Sequence, residues 1–397
     1  MPSPTPRSAL LYLDHAATTP VRSEVRDAML PFLSDEQYGN PSSGHAAGRA
    51  ARAALDRARR GIADALGCEP GDVVFTSGGT EADNLAVIGA ALRARMDDRP
   101  FRVIVSRTEH KAVIDAAHAV ERLGGEAVFL DVDGEGRVEP QAAADAVRAG
   151  AAVLSVMWVN NETGVVQNIP ALAGAAADAG VPFHTDAVQA VGKIPCAMDA
   201  PIAMLALSAH KIGGPKGIGA LVVRDAGQIT PVLHGGGQQR GIRPGTENVA
   251  GAVGLATAVE LAVAEREEAM PRVRELRDRL ASGIAAAVPG LAVTGDGAAR
   301  APHILHVTIP DLDGNALAIH LDQAGIACST GSACSSGQSS PSHVLTAMGV
   351  QPERPYAPLR LSLSATTGDE AIDEVLRRMP TVIGQVRVLT AALRGST

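Results

Sequence analysis

The feature that most constrains the fold is a pair of short apolar runs, each of which leads into a chemically active polar side chain. The first run, residues 181–183, leads to Asp186, and the second, residues 203–207, leads to Lys211. Runs of this length that alternate with helical segments are typical of strands in a parallel sheet, whose carboxyl ends form the ligand crevice of open α/β folds. The sequence therefore predicts that Asp186 and Lys211 lie on neighbouring strand ends of one crevice.

This pairing of a carboxylate with an amine suits pyridoxal phosphate (PLP). The cofactor needs a lysine to form a Schiff base and an acid at its pyridine nitrogen. Lys211 is followed by the turn Gly-Gly-Pro-Lys-Gly at residues 213–217, whose small side chains let a planar ligand approach the backbone. A surface ion pair followed by a glycine turn is the alternative, and this stretch alone leaves it open.

A second motif predicts a phosphate site. The strand expected at residues 73–76 is followed by Gly78 and Gly79, and then by Thr80 at the start of a helix. The free N–H groups and the dipole at a helix N-terminus attract an anion, and glycine lets the anion come close. An ordinary helix cap has the same pattern, so the motif gains weight only beside a phosphate-bearing cofactor.

Polar residues also follow two further predicted strands. His110 follows residues 101–106, where an imidazole can stack on a planar ring and move protons, although a structural histidine fits equally well. Asn160 and Asn161 follow residues 152–159, where they can bind a carboxylate or ring oxygen of a ligand, or cap a turn.

The length of 397 residues allows two domains with large cores. We expect a large cofactor-binding domain over residues 16–260 and a small domain over residues 261–397 together with residues 1–15. Residues 219–223 are expected to form an antiparallel strand at the edge of the main sheet. Residues 249–288 are expected to be helical with a break at Pro271.

Charge and composition exclude several functions. The formal net charge of −8 comes without a long run of one sign, so nothing indicates binding to nucleic acid or to a membrane surface. No apolar stretch is long enough to span a bilayer, and the N-terminus lacks a basic region followed by an apolar one. We therefore expect a soluble cytoplasmic protein. The four cysteines form no C-x-x-C pair, which argues against a disulfide scaffold or a metal site.

Together these motifs resemble those of the cysteine desulfurases of the nitrogen-fixation and iron–sulfur-cluster type, in the class V branch of fold-type-I PLP enzymes. The resemblance covers nearly the whole chain, through YLDHAATTP, NPSSGH, FTSGGTEADN, TEHKAV, SVMWVNNETG, FHTDAVQAVGK, SAHKIGGPKGIGAL, RPGTEN, GSAC and LRLSLS. It implies an α/β fold with a mostly parallel sheet flanked by helices in the large domain and a smaller α/β domain after it.

The resemblance also implies roles in cofactor binding. Lys211 would be the Schiff-base lysine, Asp186 would pair with the pyridinium nitrogen, and Gln189 would bind the ring hydroxyl. His110 would stack on the ring and assist proton transfer. The phosphate would be held by Gly79, Thr80, Ser208, His210 and, from the partner subunit of a homodimer, Thr246.

For the substrate, the resemblance implies that Asn161 and Arg360 bind the carboxylate of L-cysteine, a task for which the planar arginine fork is well suited. Cys334, in the GSAC motif, would take the sulfur as a persulfide and pass it to an acceptor protein, leaving L-alanine. Cys328, six residues earlier, would be a small buried bystander.

The remaining cysteines, Cys68 and Cys196, lie outside the motif and are expected to be structural.

An aminotransferase or a selenocysteine lyase on the same scaffold is one alternative function, and a weakly active sulfur-relay scaffold is another. Cys334 in a serine- and glycine-rich loop favours the desulfurase. Ser339 and Ser340 stand where relatives usually have leucine and glutamate, and the sulfur acceptor stays open among an iron–sulfur scaffold, a tRNA thiolation enzyme and DNA sulfur-modification machinery.

Overall fold

The structure is a computed structural model that describes residues 10–330, 342–350 and 356–394. Its strands, numbered in chain order, are β1 (Leu11–Tyr12), β2 (Val73–Thr76), β3 (Arg102–Ser106), β4 (Glu126–Leu130), β5 (Val153–Ser155), β6 (Phe183–Asp186), β7 (Met204–Ser208), β8 (Gly219–Val223), β9 (Ala292–Val293), β10 (Ile304–Pro310), β11 (Ile326–Ala327) and β12 (Tyr356–Ser362). Its α-helices are α1 (Ser23–Met29), α2 (Ala46–Leu66), α3 (Gly79–Met96), α4 (Lys111–Arg122), α5 (Pro140–Val147), α6 (Ile169–Asp178), α7 (Val249–Ala287), α8 (Gly314–Gln323), α9 (His343–Ala347) and α10 (Asp369–Arg394).

The chain divides into two compact units. The large unit comprises Thr19–Asn160 and Val166–Arg266, and the small unit comprises Met1–Thr18, Asn161–Val165 and Glu267–Thr397. The limits given above for the two functional domains remain predictions.

The central sheet of the large unit is mostly parallel. Its strand order is β2-β8-β7-β6-β5-β3-β4, in which β7, β6, β5, β3 and β4 run parallel and β8 is antiparallel to both of its neighbours. Every residue of β6, β7 and β8 is buried, as expected for a sheet covered by helices. The predicted α/β fold class is confirmed.

One prediction about this sheet was wrong. Strand β8 is antiparallel, but it does not form the edge, because β2 pairs with its outer side and aligns Thr76 with Gly219. The order of strands depends on pairings between distant segments of the chain. The sequence of β8 is uniformly apolar and so gives no indication of which strands flank it.

The small unit has its own core. Strands β12, β10 and β9 form an antiparallel sheet, and the register of β10 and β12 places Arg360 opposite His306. Leu305, Leu359 and Leu361 are fully buried within one apolar cluster. This core holds β12, and with it Arg360, in a fixed position.

The break expected at Pro271 is absent, because α7 continues through it to Ala287. Proline removes one helical hydrogen bond. The residues that follow, Val273, Leu276, Leu280 and Ile284, are buried in the core of the small unit at helical spacing, so their packing outweighs that loss. No helix in the described part of the chain is long and apolar enough to cross a membrane.

Candidate active site

Strand ends in the large unit hold most of the residues expected to bind the cofactor. Strand β6 ends at Asp186, while β7 ends at Ser208 and continues through a 3-10 turn to Lys211. The two strands are parallel and hydrogen-bonded, with Asp186 aligned to Ala206. Asp186 and Lys211 therefore follow the carboxyl ends of adjacent strands, at the edge where open α/β sheets bind ligands.

Asp186 is the electrostatic centre of this edge. Its carboxyl group is buried, and its Oδ1 accepts a hydrogen bond from the Val188 N–H at 2.9 Å. Burial raises the pKa of Asp186, and the charges of His110 and Lys211, together with that hydrogen bond, oppose the rise. These three ionisable groups are therefore close enough to interact, and a further cation at Asp186 would stabilise its carboxylate.

His110 is held by the start of α4. It is the N-cap of this helix, and its Nδ1 accepts a hydrogen bond from the Ala112 N–H at 3.1 Å. A neutral imidazole that accepts at Nδ1 carries its proton on Nε2. The cap thus fixes the position of the ring, and in the neutral form of the ring it also sets the tautomer.

The predicted phosphate cradle is tightly packed. Helix α3 begins at Gly79, and a Cβ atom added there would lie 2.9 Å from Val188 Cγ2 and 3.7 Å from Ser208 Cβ. Gly79 and Thr80 contribute main-chain N–H groups of the first helical turn, which lack partners within the helix. The structure therefore brings Gly79 and Ser208 together beside the turn that follows Asp186.

The other expected cofactor ligands also lie in the large unit. Gln189 is buried one turn after Asp186, and Thr246 is exposed in the loop before α7. Burial, and then the charges of Lys211 and Lys216, lower the pKa of His210 to about 4. His210 is therefore neutral at physiological pH and can donate one hydrogen bond from its ring.

Arg360 and Asn161, expected to bind the substrate carboxylate, are in contact in the small unit. Arg360 Nη1 donates to the main-chain oxygen of Asn161 at 2.9 Å, and Nη2 donates to Asp14 Oδ1 at 2.9 Å and to Ser329 Oγ at 3.2 Å. Arg360 is buried, and its Nε makes no hydrogen bond with any described residue. A buried donor without a partner is costly, so this N–H suits an acidic ligand.

The three cysteines within the described residues are unsuited to nucleophilic attack. Burial, and then the charge of Asp72, raise the pKa of Cys68 to about 12, and burial also raises the pKa of Cys196. Burial, and then Asp14, raise the pKa of Cys328 to about 12, against the opposing charge of Arg360. Since the thiolate is the nucleophile, none of these thiols is activated. Cys334 lies outside the described residues.

Sequence reasoning missed an ion pair beside the cradle. Arg243 Nε donates to Glu81 Oε1 at 2.7 Å, and Glu81 Oε2 accepts from the Ser77 N–H at 2.6 Å. This ties the glycine-rich loop before α7 to the first turn of α3. The only signal in the sequence was an acidic residue at a helix start, which is common to many helices.

The sequence also did not predict the contact of two buried polar side chains, His184 and Asp83, near Asp186. His184 precedes Asp186 by two residues on β6, and its Nδ1 shares a hydrogen bond of 2.9 Å with Ser155 Oγ. Its Nε2 lies 3.6 Å from Asp83 Oδ1, and both side chains are almost completely buried. Burial, and then the charges of Asp186 and Glu109, raise the pKa of Asp83 well above its ordinary value.

The family of the chain is shown by its sequence. The profile of the aminotransferase class-V family matches residues 11–375. The chain therefore belongs to this family, which agrees with its mostly parallel α/β sheet and with a lysine and a buried carboxylate at adjacent strand ends.

Within the family, the chain groups with the cysteine desulfurases, which confirms the resemblance seen in the sequence. It is 40% identical to the cysteine desulfurase IscS of Dictyoglomus turgidum, over 96% of both chains. A solved structure described as a NifS-like protein superimposes with a TM-score of 0.87 at 33% identity, covering 94% of this chain and 99% of that one. The structure of SspA in complex with cysteine superimposes with a TM-score of 0.76 at 34% identity, covering 89% and 98%.

Proposed function

We propose that this protein is a PLP-dependent cysteine desulfurase that converts L-cysteine to L-alanine and transfers the sulfur to Cys334. The observation that carries the proposal is that Asp186 and Lys211 follow the carboxyl ends of two adjacent parallel strands, with His110 close enough to Asp186 to interact with it. The similarity to proteins named cysteine desulfurase, and to a structure solved with cysteine, supports the choice of substrate.

The residues of this edge fit PLP. Bound here, the cofactor would supply a ring that withdraws electrons from the α-carbon of the substrate. Lys211 would hold it covalently, Asp186 would meet its positively charged ring nitrogen, and Gln189 would bind the ring hydroxyl. The phosphate would lie against Gly79, Thr80, Ser208 and His210. A buried carboxylate with a raised pKa gains most from such a cation, because pairing offsets the cost of its burial.

The substrate carboxylate would pair with Arg360, whose buried Nε lacks a partner among the described residues, and with Asn161. Lys211 would take the α-proton. The Cys334 thiolate would then attack the sulfur of the substrate. The carbon–sulfur bond would break with its electron pair left on carbon, a proton would add to the β-carbon, and Lys211 would return its proton to the α-carbon to complete alanine. A sulfur–sulfur bond forms on Cys334, so no external oxidant or reductant is consumed.

The poor reactivity of the other thiols also supports Cys334 as the nucleophile. Burial raises the pKa of Cys68, Cys196 and Cys328, so they are protonated at neutral pH. Cys334 lies in the GSAC motif, among the serines and glycines of residues 329–340. A homodimer in which Thr246 completes the phosphate site of the partner, a sulfur-acceptor protein and a cytoplasmic location belong to the same proposal.

The test is product analysis with L-cysteine, added PLP and a reductant. We expect alanine and sulfide in equal amounts from the wild type, and neither from Cys334→Ala, while both proteins keep the visible absorption of the bound cofactor. Cys328→Ala is the matched control and should retain activity. Alanine formation undiminished in Cys334→Ala would overturn the assignment of the nucleophile. Amino-group transfer to a keto acid without sulfide would instead show an aminotransferase.

A further inference from the structure

A second lysine lies against the proposed cofactor lysine. Lys193 follows β6 in the motif AVGK, and its Nζ donates a hydrogen bond to the main-chain oxygen of Lys211 at 2.8 Å. Only four of the 35 basic residues of the chain are lysines, at positions 111, 193, 211 and 216. The side chain of one of these four lysines is therefore hydrogen-bonded to the main chain of another.

The surroundings of Lys193 do not neutralise its charge. No ion pair joins Lys193 to a carboxylate in the part of the chain that the structure describes. Burial, and then the charge of Lys211, lower the pKa of Lys193 to about 8. Because the interaction between two charges is mutual, Lys193 destabilises the ammonium form of Lys211 in the same way.

We propose that Lys193 is a positioning residue for Lys211: its ammonium anchors the main chain of Lys211, and its charge keeps the released side-chain amine of Lys211 uncharged and ready to accept a proton. The inference rests on the proposed function, in which Lys211 takes the α-proton of the substrate. A lysine next to a second cation is a general way to obtain a neutral, reactive amine near neutral pH.

Other charged groups near Lys211 act in different directions. Asp186 on β6 favours the ammonium form of Lys211, and it also interacts with His110 at the start of α4. His210, next to Lys211, is neutral at physiological pH because its pKa is lowered to about 4. When Asp186 is paired with a cationic ring nitrogen, its attraction for Lys211 is offset, and Lys193 remains as the opposing charge.

The experiment compares Lys193→Met, which removes the charge, with Lys193→Arg, which retains it. Lys216→Met is the matched control, because Lys216 lies on the same loop as Lys211 but is exposed. The readout is the pH midpoint of the visible absorption change of the cofactor-loaded proteins, which reports protonation of the nitrogen that joins Lys211 to the cofactor. A unit charge acting at an effective dielectric constant of about 20 shifts a neighbouring pKa by on the order of 1 unit.

We expect Lys193→Met to raise this midpoint by about 1 pH unit. Lys193→Arg should keep it at or below the wild-type value, and Lys216→Met should leave it within about 0.2 unit because solvent screens that charge. The acidic limb of the pH–activity profile should move upward in Lys193→Met, with kcat reduced at pH 7 and KM little changed. An unchanged midpoint in Lys193→Met, or equal shifts in the Met and Arg variants, would overturn the proposal.

A cofactor-free measurement separates this inference from the proposed function. In the unloaded proteins, the pH dependence of Lys211 acetylation, followed by peptide mass spectrometry, reports the protonation of its amine directly. We expect the labelling midpoint of Lys211 to rise in Lys193→Met and not in Lys216→Met. If the wild type failed to bind PLP or to release alanine, the proposed function would fall, and this labelling would still decide whether Lys193 acts on Lys211.

Discussion

Replacing Arg360 with lysine separates a structural role of this residue from a role in substrate binding. Arg360 donates to the Asn161 main-chain oxygen, to Asp14 Oδ1 and to Ser329 Oγ. A lysine ammonium keeps the positive charge and can retain the contact with Asp14, but it has no planar fork. We expect two hydrogen bonds of the charged guanidinium to be lost at about 1.5 kcal/mol each, and hence a loss of roughly 3 kcal/mol in the free energy of unfolding.

The substitution should also weaken the binding of the substrate. Loss of a hydrogen bond to a charged group costs about 1.5 to 3 kcal/mol, which corresponds to a rise in KM for L-cysteine of roughly 10- to 150-fold. The rate at saturation should fall much less, because in the proposed role Arg360 would bind the carboxylate equally before and during the reaction. Steady-state kinetics with L-cysteine and urea unfolding of the same preparations supply both numbers.

Asp14→Asn is the control for this prediction. It leaves Arg360 in place and weakens only the ion pair, whose side chains are 7% and 19% exposed. We expect about 1 kcal/mol of lost stability and a change in KM below about threefold. If Arg360→Lys were destabilised but kept a KM within threefold of wild type, Arg360 would be a structural tie between Asp14 and Asn161, and the substrate assignment would be refuted.

Two further predictions concern buried positions of the large unit. Burial raises the pKa of Asp83, so Asp83 keeps its proton in the folded state at a pH where the unfolded chain has lost it, and its contribution to stability falls as pH rises above about 4. In urea unfolding of the cofactor-free protein above pH 5, Asp83→Asn should therefore lose stability less steeply with rising pH than the wild type, with a limiting difference of about 1.4 kcal/mol per pH unit. Asp35→Asn, at an exposed position, is the control and should match the wild-type slope. A Cβ atom at Gly219 would lie 2.5 Å from the Leu207 main-chain oxygen, so Gly219→Ala should cost at least about 2 kcal/mol. Gly174 lies in α6, and no atom lies within 4 Å of a Cβ added there, so Gly174→Ala should gain about 0.5 to 1 kcal/mol of stability. Equal thermal shifts of Gly219→Ala and Gly174→Ala would contradict the packing of β8.

The strand ends could be predicted from the sequence because their signals are local. Asp186 and Ser208 each close an apolar run, and both runs became buried parallel strands. The glycines before Thr80 marked the start of α3, and His110 marked the start of α4. Hydrophobic runs and helix-start residues are patterns of a few consecutive positions, so a single sequence is enough to predict the strands and helices that they mark.

Contacts between distant segments could not be predicted from the sequence. No sequence pattern indicates that Arg243 pairs with Glu81, that Asp83 lies near His184, or that Lys193 donates to the main-chain oxygen of Lys211. Each depends on the register of the sheet and on the packing of helices over it. The wrong placement of β8 at the sheet edge had the same cause, since β2 pairs with it from 143 positions away in the aligned pair Thr76 and Gly219.

The proposed reaction moves sulfur from L-cysteine to Cys334, so the location of that sulfur after the reaction is the decisive measurement. The cofactor-loaded protein is treated with L-cysteine without reductant, its thiols are blocked, and fragmentation mass spectrometry distinguishes Cys334 from Cys328. We predict one additional sulfur atom on Cys334 and none on Cys328, whose thiol is kept protonated by burial. Additional sulfur on Cys328, or alanine formed with no sulfur retained on any cysteine, would contradict it.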